Sequence, residues 1–444
     1  VRTESGSSPG EGKAAEPDSR LDRRLGTGDA VVIGLGSMLG TGVFVIFAPA
    51  AARAGAWLLA GLGLAALVAY ANATSSAQLA AVHPQAGGAY VYGRARLGEG
   101  WGALAGYAFV AGKIASCAAA ALAVGAYAWP AQQRLVAALA VVAVTVLNLL
   151  GVRKTAAATR VIVAAVLLVL AAVVVAASQV PATYSASWFG EPPPWLLQPD
   201  PVRGVGVLDV LGAAGLIFFA FAGYARIATL GEEVRDPART IPRAIPLALG
   251  IALLVYALVA GSLLWALGSG GLAASVAPLV DAVRLSATVG PLPLDWLVPV
   301  VRAGGALAAL GVLVALVAGI SRTVFAMAAE GDLPRGLAAV HSVRRVPHRA
   351  ELLVGVVALV AVLFGGLVGA VAFSAFTVLL YYAVANAAAL RLGADERRWP
   401  RALAWLGLVG CLVLAVTLPA VPALAGAALL AGLVVVRGAL RRWR

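Results

Sequence analysis

The sequence predicts an all-α integral membrane protein with about twelve transmembrane helices. Three observations carry that expectation. Of 444 residues, 61% are hydrophobic and 12% are charged, too few charges to clothe a water-facing surface of this size. The apolar residues come in runs of roughly twenty or more, the length a helix needs to cross about 30 Å of hydrocarbon. The runs are apolar on every face, whereas barrel strands alternate apolar and polar residues.

Taken in order, residues 1–27 are polar, rich in Gly, Pro, Ser, Glu and Arg, and hold no apolar run. They read as a disordered cytoplasmic tail and not as a signal peptide. Spans follow near 29–52, 55–81, 98–128, 131–150, 158–179, 207–231, 242–267, 296–328, 351–370, 372–392, 401–418 and 420–437. The third and eighth are longer than a crossing needs, so they tilt or run on into solvent. Connection 180–206 is Pro-rich and carries Trp188 and Trp195, which suit a membrane–water interface. Connection 268–295 is rich in small residues and has room for short re-entrant helices.

The formal net charge of +13 would suit a nucleic-acid binder, but its placement argues otherwise. Of 33 Lys and Arg, 26 fall on the tails and connections of one side, 5 on the other, and 2 (Lys113 and Arg226) inside spans. That asymmetry puts both termini in the cytoplasm and reports topology and contact with anionic lipid. Cys117 and Cys411 sit inside spans and read as small buried side chains, not as a redox pair. Asp29, Asp209, Asp295 and Glu351 fall at helix starts, where capping accounts for them.

Two spans are interrupted. Gly34-Leu-Gly36-Ser-Met-Leu-Gly40-Thr-Gly42 lies in the middle of the first, and each helical glycine costs roughly 1 kcal/mol relative to alanine. Phe218-Phe-Ala-Phe221-Ala-Gly223-Tyr224 lies in the middle of the sixth. If spans 1–5 and 6–10 repeat, these are equivalent positions, and paired interruptions of this kind point to a transporter's binding site. An unwound helix there offers N–H groups to a carboxylate and carbonyls to an ammonium group. The competing explanation is close helix packing through the Gly36-x-x-x-Gly40 pair. A dinucleotide-binding loop is excluded, because no strand precedes the glycines and no acidic residue follows at the right distance.

At these residues the chain resembles the amino acid–polyamine–organocation (APC) superfamily. Gly36 to Phe44 resembles the family's broken first helix, and Pro84-Gln-Ala-Gly87-Gly88-Ala-Tyr90 the element after the second. Phe218 to Tyr224, continuing through Glu232-Glu233-Val-Arg235-Asp236-Pro237-Ala-Arg239 to Arg243, resembles the sixth helix and its exit. Arg322 to Pro334 resembles the exit of the eighth. The resemblance implies a five-plus-five inverted repeat with discontinuous helices 1 and 6: 28–180 and 207–393, joined by an outer loop at 181–206. Segment 394–444 would add helices 11 and 12 and a basic tail. It also implies alternating access, with Ser37, Gly40, Thr41 and Gly42 cradling a substrate carboxylate and carbonyls near Phe221 and Gly223 taking the amino group. Phe218 or Tyr224 would close over the substrate. Glu232, Glu233, Arg235, Asp236 and Arg239 would form a cytoplasmic gate of ion pairs, or a solvated helix end that only anchors topology.

Lys113, in the third span, either faces the substrate cavity or snorkels to an interface; a charge inside a span is a functional candidate by default. Arg226 either faces an inner vestibule or contacts substrate. The eighth span from Ala303 to Ile320 has no Ser, Thr, Asn or acid to supply the hard oxygens of a sodium site, so sodium dependence is not expected. The fifth-helix lysine of some relatives is replaced by the apolar run Ala164 to Leu168. His83 is a candidate titrating group, and Tyr381, Tyr382 and Asn386 in the tenth span are candidates for gating or for plain packing. No cofactor, metal or enzymatic activity is expected. The expected function is permeation of a small amino acid, coupled to protons or to exchange. The alternatives are a polyamine or cationic amino acid exchanger and a non-transporting sensor.

Overall fold

The computed structural model describes residues 25–83, 85, 87–151, 156–181, 204–228, 234–341, 344 and 346–442. Expectations for the N-terminal tail, Arg153 and Lys154, Trp188 and Trp195, Pro84, and Glu232 and Glu233 fall outside them. Among the described residues the chain is helical, with a single isolated bridge pairing Leu25 and Val234. Ten helical stretches are long and apolar enough to cross a membrane, which makes this a multi-pass membrane protein.

The first span is three pieces: α1 (Thr27–Met38), α2 (Thr41–Val45) and α3 (Phe47–Ala54). Then come α4 (Leu58–Val82), the short α5 (Ala89–Leu97), α6 (Glu99–Ala128), α7 (Gln133–Leu149) and α8 (Ala156–Ser178). The sixth span is α9 (Val207–Phe221), a 3₁₀ turn at Ala222–Tyr224 and α10 (Ala225–Ala228). After it run α11 (Pro237–Ala274), α12 (Pro278–Val289), α13 (Leu297–Ala329), α14 (His348–Phe364), α15 (Leu367–Leu390), α16 (Arg401–Thr417) and α17 (Ala420–Arg442).

Two of the four acids expected to cap helix starts do so, whereas Asp295 and Glu351 make no cap hydrogen bond. The Asp29 and Asp209 carboxylates each accept the N–H three residues upstream, at Gly26 and Gly206, both at 3.1 Å. The 268–295 connection does carry a short helix, α12, after a kink at Gly268 (φ 65°). Two boundaries differ from expectation. The ninth span stops at Phe364 and the tenth begins at Leu367, because Gly365 and Gly366 take extended backbone (ψ 178° and 162°). That glycine pair is the turn, not part of a span.

The bundle is held by close contact of small residues, since lipid supplies no hydrophobic drive between helices. Helix α6 sits at the centre, with Cys117 to Ala121, Ala123, Ala126 and Tyr127 fully buried. Helix α17 lies at the edge, with Val421, Leu424 and Val435 exposed to the lipid. Cys117 and Cys411 are both free and buried.

Candidate functional site

The interruption in the first span falls where the glycines put it. Gly40 leaves the helical basin (φ −79°, ψ −105°), and its lack of a side chain lets it meet α13: a Cβ there would stand 2.0 Å from Val312 Cγ2. The packing explanation therefore holds together with the break. Gly36 faces α8, where a Cβ would lie 3.1 Å from Val163 Cγ2.

The two interruptions meet. A Cβ on Gly223 would stand 2.5 Å from the Ser37 carbonyl, and one on Gly42 would stand 2.7 Å from Ala220 Cα. Only glycine permits backbones this close. Tyr256 of α11 stitches the seam. Its Oη lies 2.7 Å from the Met38 carbonyl and 3.0 Å from the Ala220 carbonyl, so one hydroxyl proton serves the broken ends of both spans. Tyr127 of α6 does similar work nearby, donating to the Phe44 carbonyl at 2.8 Å. Neither tyrosine was singled out from sequence. Their partners are backbone carbonyls on distant helices, which no local pattern encodes.

Two polar groups at the seam stand apart. The Thr41 hydroxyl is buried with no hydrogen-bond partner. The Ala222 carbonyl, freed by the 3₁₀ turn, accepts from both Lys113 Nζ and Tyr382 Oη at 3.4 Å. Lys113 is therefore buried at the sixth-span break and does not snorkel. Ser37 is half-buried and spends its hydroxyl on its own helix, donating to the Ile33 carbonyl at 3.1 Å.

Phe218, Phe221 and Tyr224 are fully buried. Phe218 meets Tyr382 edge-on at 5.7 Å, Tyr224 stacks on Tyr382 at 5.1 Å, and Phe221 meets Tyr256 at 5.1 Å. Tyr382 is thus the pivot between the tenth span and the break. Tyr381 instead accepts the Ala89 N–H at 3.0 Å, and Asn386 donates to Asn72 Oδ1 at 2.6 Å; both tie helices together. Arg226 is half-buried in α10.

Between the first, fifth and eighth spans lies a void of about 10 Å³, lined by Gly36, Leu39, Gly40, Ile162, Val163, Val166, Ala308 and Gly311. It is about the size of one water, and none of its lining side chains carries an oxygen. Among the described residues no cluster of His, Cys, Asp or Glu could hold a metal ion.

Of the expected gate residues, Glu232 and Glu233 lie outside the described residues, and the others are placed as follows. Arg239 and Asp236 form an exposed pair three residues apart, at 3.6 Å. Arg235 is exposed, and its backbone N–H donates to the Leu25 carbonyl at 2.9 Å. The buried charge cluster lies elsewhere, around Asp332 just past α13. Its carboxylate is fully buried and is held by Arg94 (2.7 Å), Tyr90 (2.9 Å) and, from the last helix, Arg437 (2.8 Å). Tyr107 donates to its backbone carbonyl at 2.7 Å. Burial, then the hydrogen bond to Asp332, pushes the Tyr90 phenol well above its ordinary value. The i, i+4 spacing of Tyr90 and Arg94 on α5 was the available sequence signal.

A bundle of long apolar helices, two of them interrupted at points that touch, defines a multi-pass membrane protein with a polar seam at its centre. The chain belongs to the amino acid permease family, within the APC superfamily: the family model described as "Amino acid permease" matches residues 25–432. It is 56% identical over 419 residues, 93% of its length and 90% of the relative's, to an uncharacterized transporter of Mycobacterium tuberculosis. It is 25% identical over 366 residues to the branched-chain amino acid permease BcaP of Bacillus subtilis, covering 77% of this chain and 75% of that one. It is also 27% identical over 381 residues to cationic amino acid transporter 4 of Homo sapiens, covering 82% of this chain and 59% of that one.

Proposed function

We propose that this chain is a secondary active permease that carries a small amino acid or close analogue across the cytoplasmic membrane by alternating access. The observation that carries this reading is the contact of the two interrupted spans, with Gly223 against Ser37 and Tyr256 serving the carbonyls of both. Gly40, Thr41 and Gly42 receive the substrate carboxylate, for which the unpartnered Thr41 hydroxyl is the ready donor. The sixth-span carbonyls receive the amino group. The aromatic stack of Phe218, Tyr224 and Tyr382 closes over it.

Spans 1–5 and 6–10 act as inverted repeats, helices 11 and 12 flank them, and both termini face the cytoplasm. Coupling is to protons or to exchange and is independent of sodium, which fits the void lined only by glycine and aliphatic side chains. Relatives named for cationic substrates favour a second reading, a cationic amino acid exchanger. The test is uptake of labelled amino acids into proteoliposomes with and without an inward proton gradient, in sodium and in potassium buffer. Uptake of one compound, competed by excess unlabelled compound and indifferent to sodium, is the expected result. Sodium-dependent uptake, or ligand stabilisation without flux, would overturn the reading as stated.

A further inference from the structure

We propose that Lys113 sets the charge selectivity of this permease, disfavouring cationic substrates by placing its own ammonium group beside the amine half of the site. The inference rests on the permease reading above and names a substrate class for the same site: amino acids of no net positive charge.

The geometry carries it. Lys113 lies midway along α6, buried, with its Nζ 3.4 Å from the Ala222 carbonyl in the sixth-span break. That carbonyl is one of the acceptors an incoming amino group needs, and Tyr382 Oη stands on it as well. The surroundings give the ammonium no neutralising partner: among the described residues no carboxylate pairs with Lys113. One turn along the helix are Cys117, which is buried, and Ser116, whose hydroxyl pairs with that of Ser374 at 2.8 Å. When Lys113 is protonated, the site therefore carries a positive charge that no carboxylate offsets.

A zwitterion brings its own carboxylate to offset that charge. A substrate with a second cation does not. Two like charges about 5 Å apart at an effective dielectric of about 20 repel enough to lower affinity by roughly a hundredfold or more. An acidic side chain would be drawn toward Lys113 for the same reason.

The test compares wild type with Lys113→Met, Lys113→Gln and Lys113→Arg, each full length. Uptake into proteoliposomes is measured for leucine, alanine, glutamate, lysine and arginine, and thermal stabilisation by the same five compounds is measured in detergent. The expected result is that wild type and Lys113→Arg exclude lysine and arginine. Lys113→Met and Lys113→Gln should admit them, with apparent affinity improved at least tenfold. Wild-type uptake of lysine or arginine, or the same exclusion in all four proteins, would overturn the inference. If wild type moves none of the five, the permease reading fails separately. The stabilisation panel then still decides: cations stabilising only the uncharged variants support the role of Lys113, and no difference between proteins overturns it.

Discussion

At the scale of single residues, the seam between the interrupted spans is set by what is missing as much as by what is present. Gly223 has no side chain because a Cβ would meet the Ser37 carbonyl at 2.5 Å, and backbone on both sides leaves nothing flexible to yield. Gly223→Ala is expected to lower thermal stability by the equivalent of about 1–3 kcal/mol and to cut uptake at least tenfold. A variant with wild-type melting temperature and uptake would show that the two breaks do not need their close contact. Tyr256→Phe keeps the ring against Phe47 and Phe221 but removes the proton that serves Met38 and Ala220. Leaving buried carbonyls unserved costs about 1–3 kcal/mol, so the melting temperature should fall while the aromatic packing is kept. An unchanged melting temperature would mean that another donor replaces it.

At the scale of elements, one buried charge cluster ties three separate helices together. Asp332 joins α5, the end of α13 and α17 through one buried carboxylate. Removing the acid would leave Arg94 and Arg437 only their longer ion pairs with the exposed Glu99 and Glu330, and breaking a buried pair costs up to about 3–5 kcal/mol. Asp332→Ala should therefore destabilise far more than Arg239→Ala, whose partner is an exposed local acid. Melting curves of the two variants decide the matter, and equal small effects would demote the cluster to decoration.

A second device lies at the start of the connection after α4. Arg96 Nε donates to His83 Nε2 at 3.0 Å, and its guanidinium also pairs with Glu396. Burial, then the Arg96 cation, holds the His83 imidazole below its ordinary value, with Glu396 opposing. A group whose pKa is depressed by folding contributes stability above its unfolded pKa of about 6.5 and loses it as pH falls through the folded value. Glu396 is itself held below the usual carboxylate range, first by the Arg96 hydrogen bond, so its own loss comes at lower pH. The melting temperature should fall as pH drops from 7.5 toward 5, and His83→Gln should flatten that slope. Parallel slopes in the two proteins would rule the histidine out.

At the scale of the whole molecule, the sequence carried the membrane class, the order of the spans and both interruptions, because each is written locally: in the length of an apolar run, in the glycines from Gly34 to Gly42, in the aromatic run from Phe218 to Tyr224. It did not carry the contacts that join them. Tyr256, Tyr127 and Asp332 each reach a group more than 80 residues away in the chain, and only the packed bundle shows the pairing. Lys113 was legible as a charge out of place, but its partner, the Ala222 carbonyl, was not. The Asp332 cluster was not legible for a related reason: a buried cluster is assembled from residues that look unremarkable one at a time. The glycine pair at 365–366 was hidden inside an apolar stretch whose composition alone reads as continuous helix.

The central claim is that the seam between the first and sixth spans is a transport site for amino acids. Solute counterflow tests it most directly: proteoliposomes preloaded with one unlabelled amino acid are offered the same compound in labelled form, with no ion gradient imposed. The account calls for transient accumulation of label with at least one neutral amino acid, abolished by leaving the vesicles unloaded. Absence of accumulation across all neutral and acidic amino acids, from protein shown to be folded and inserted, would contradict it.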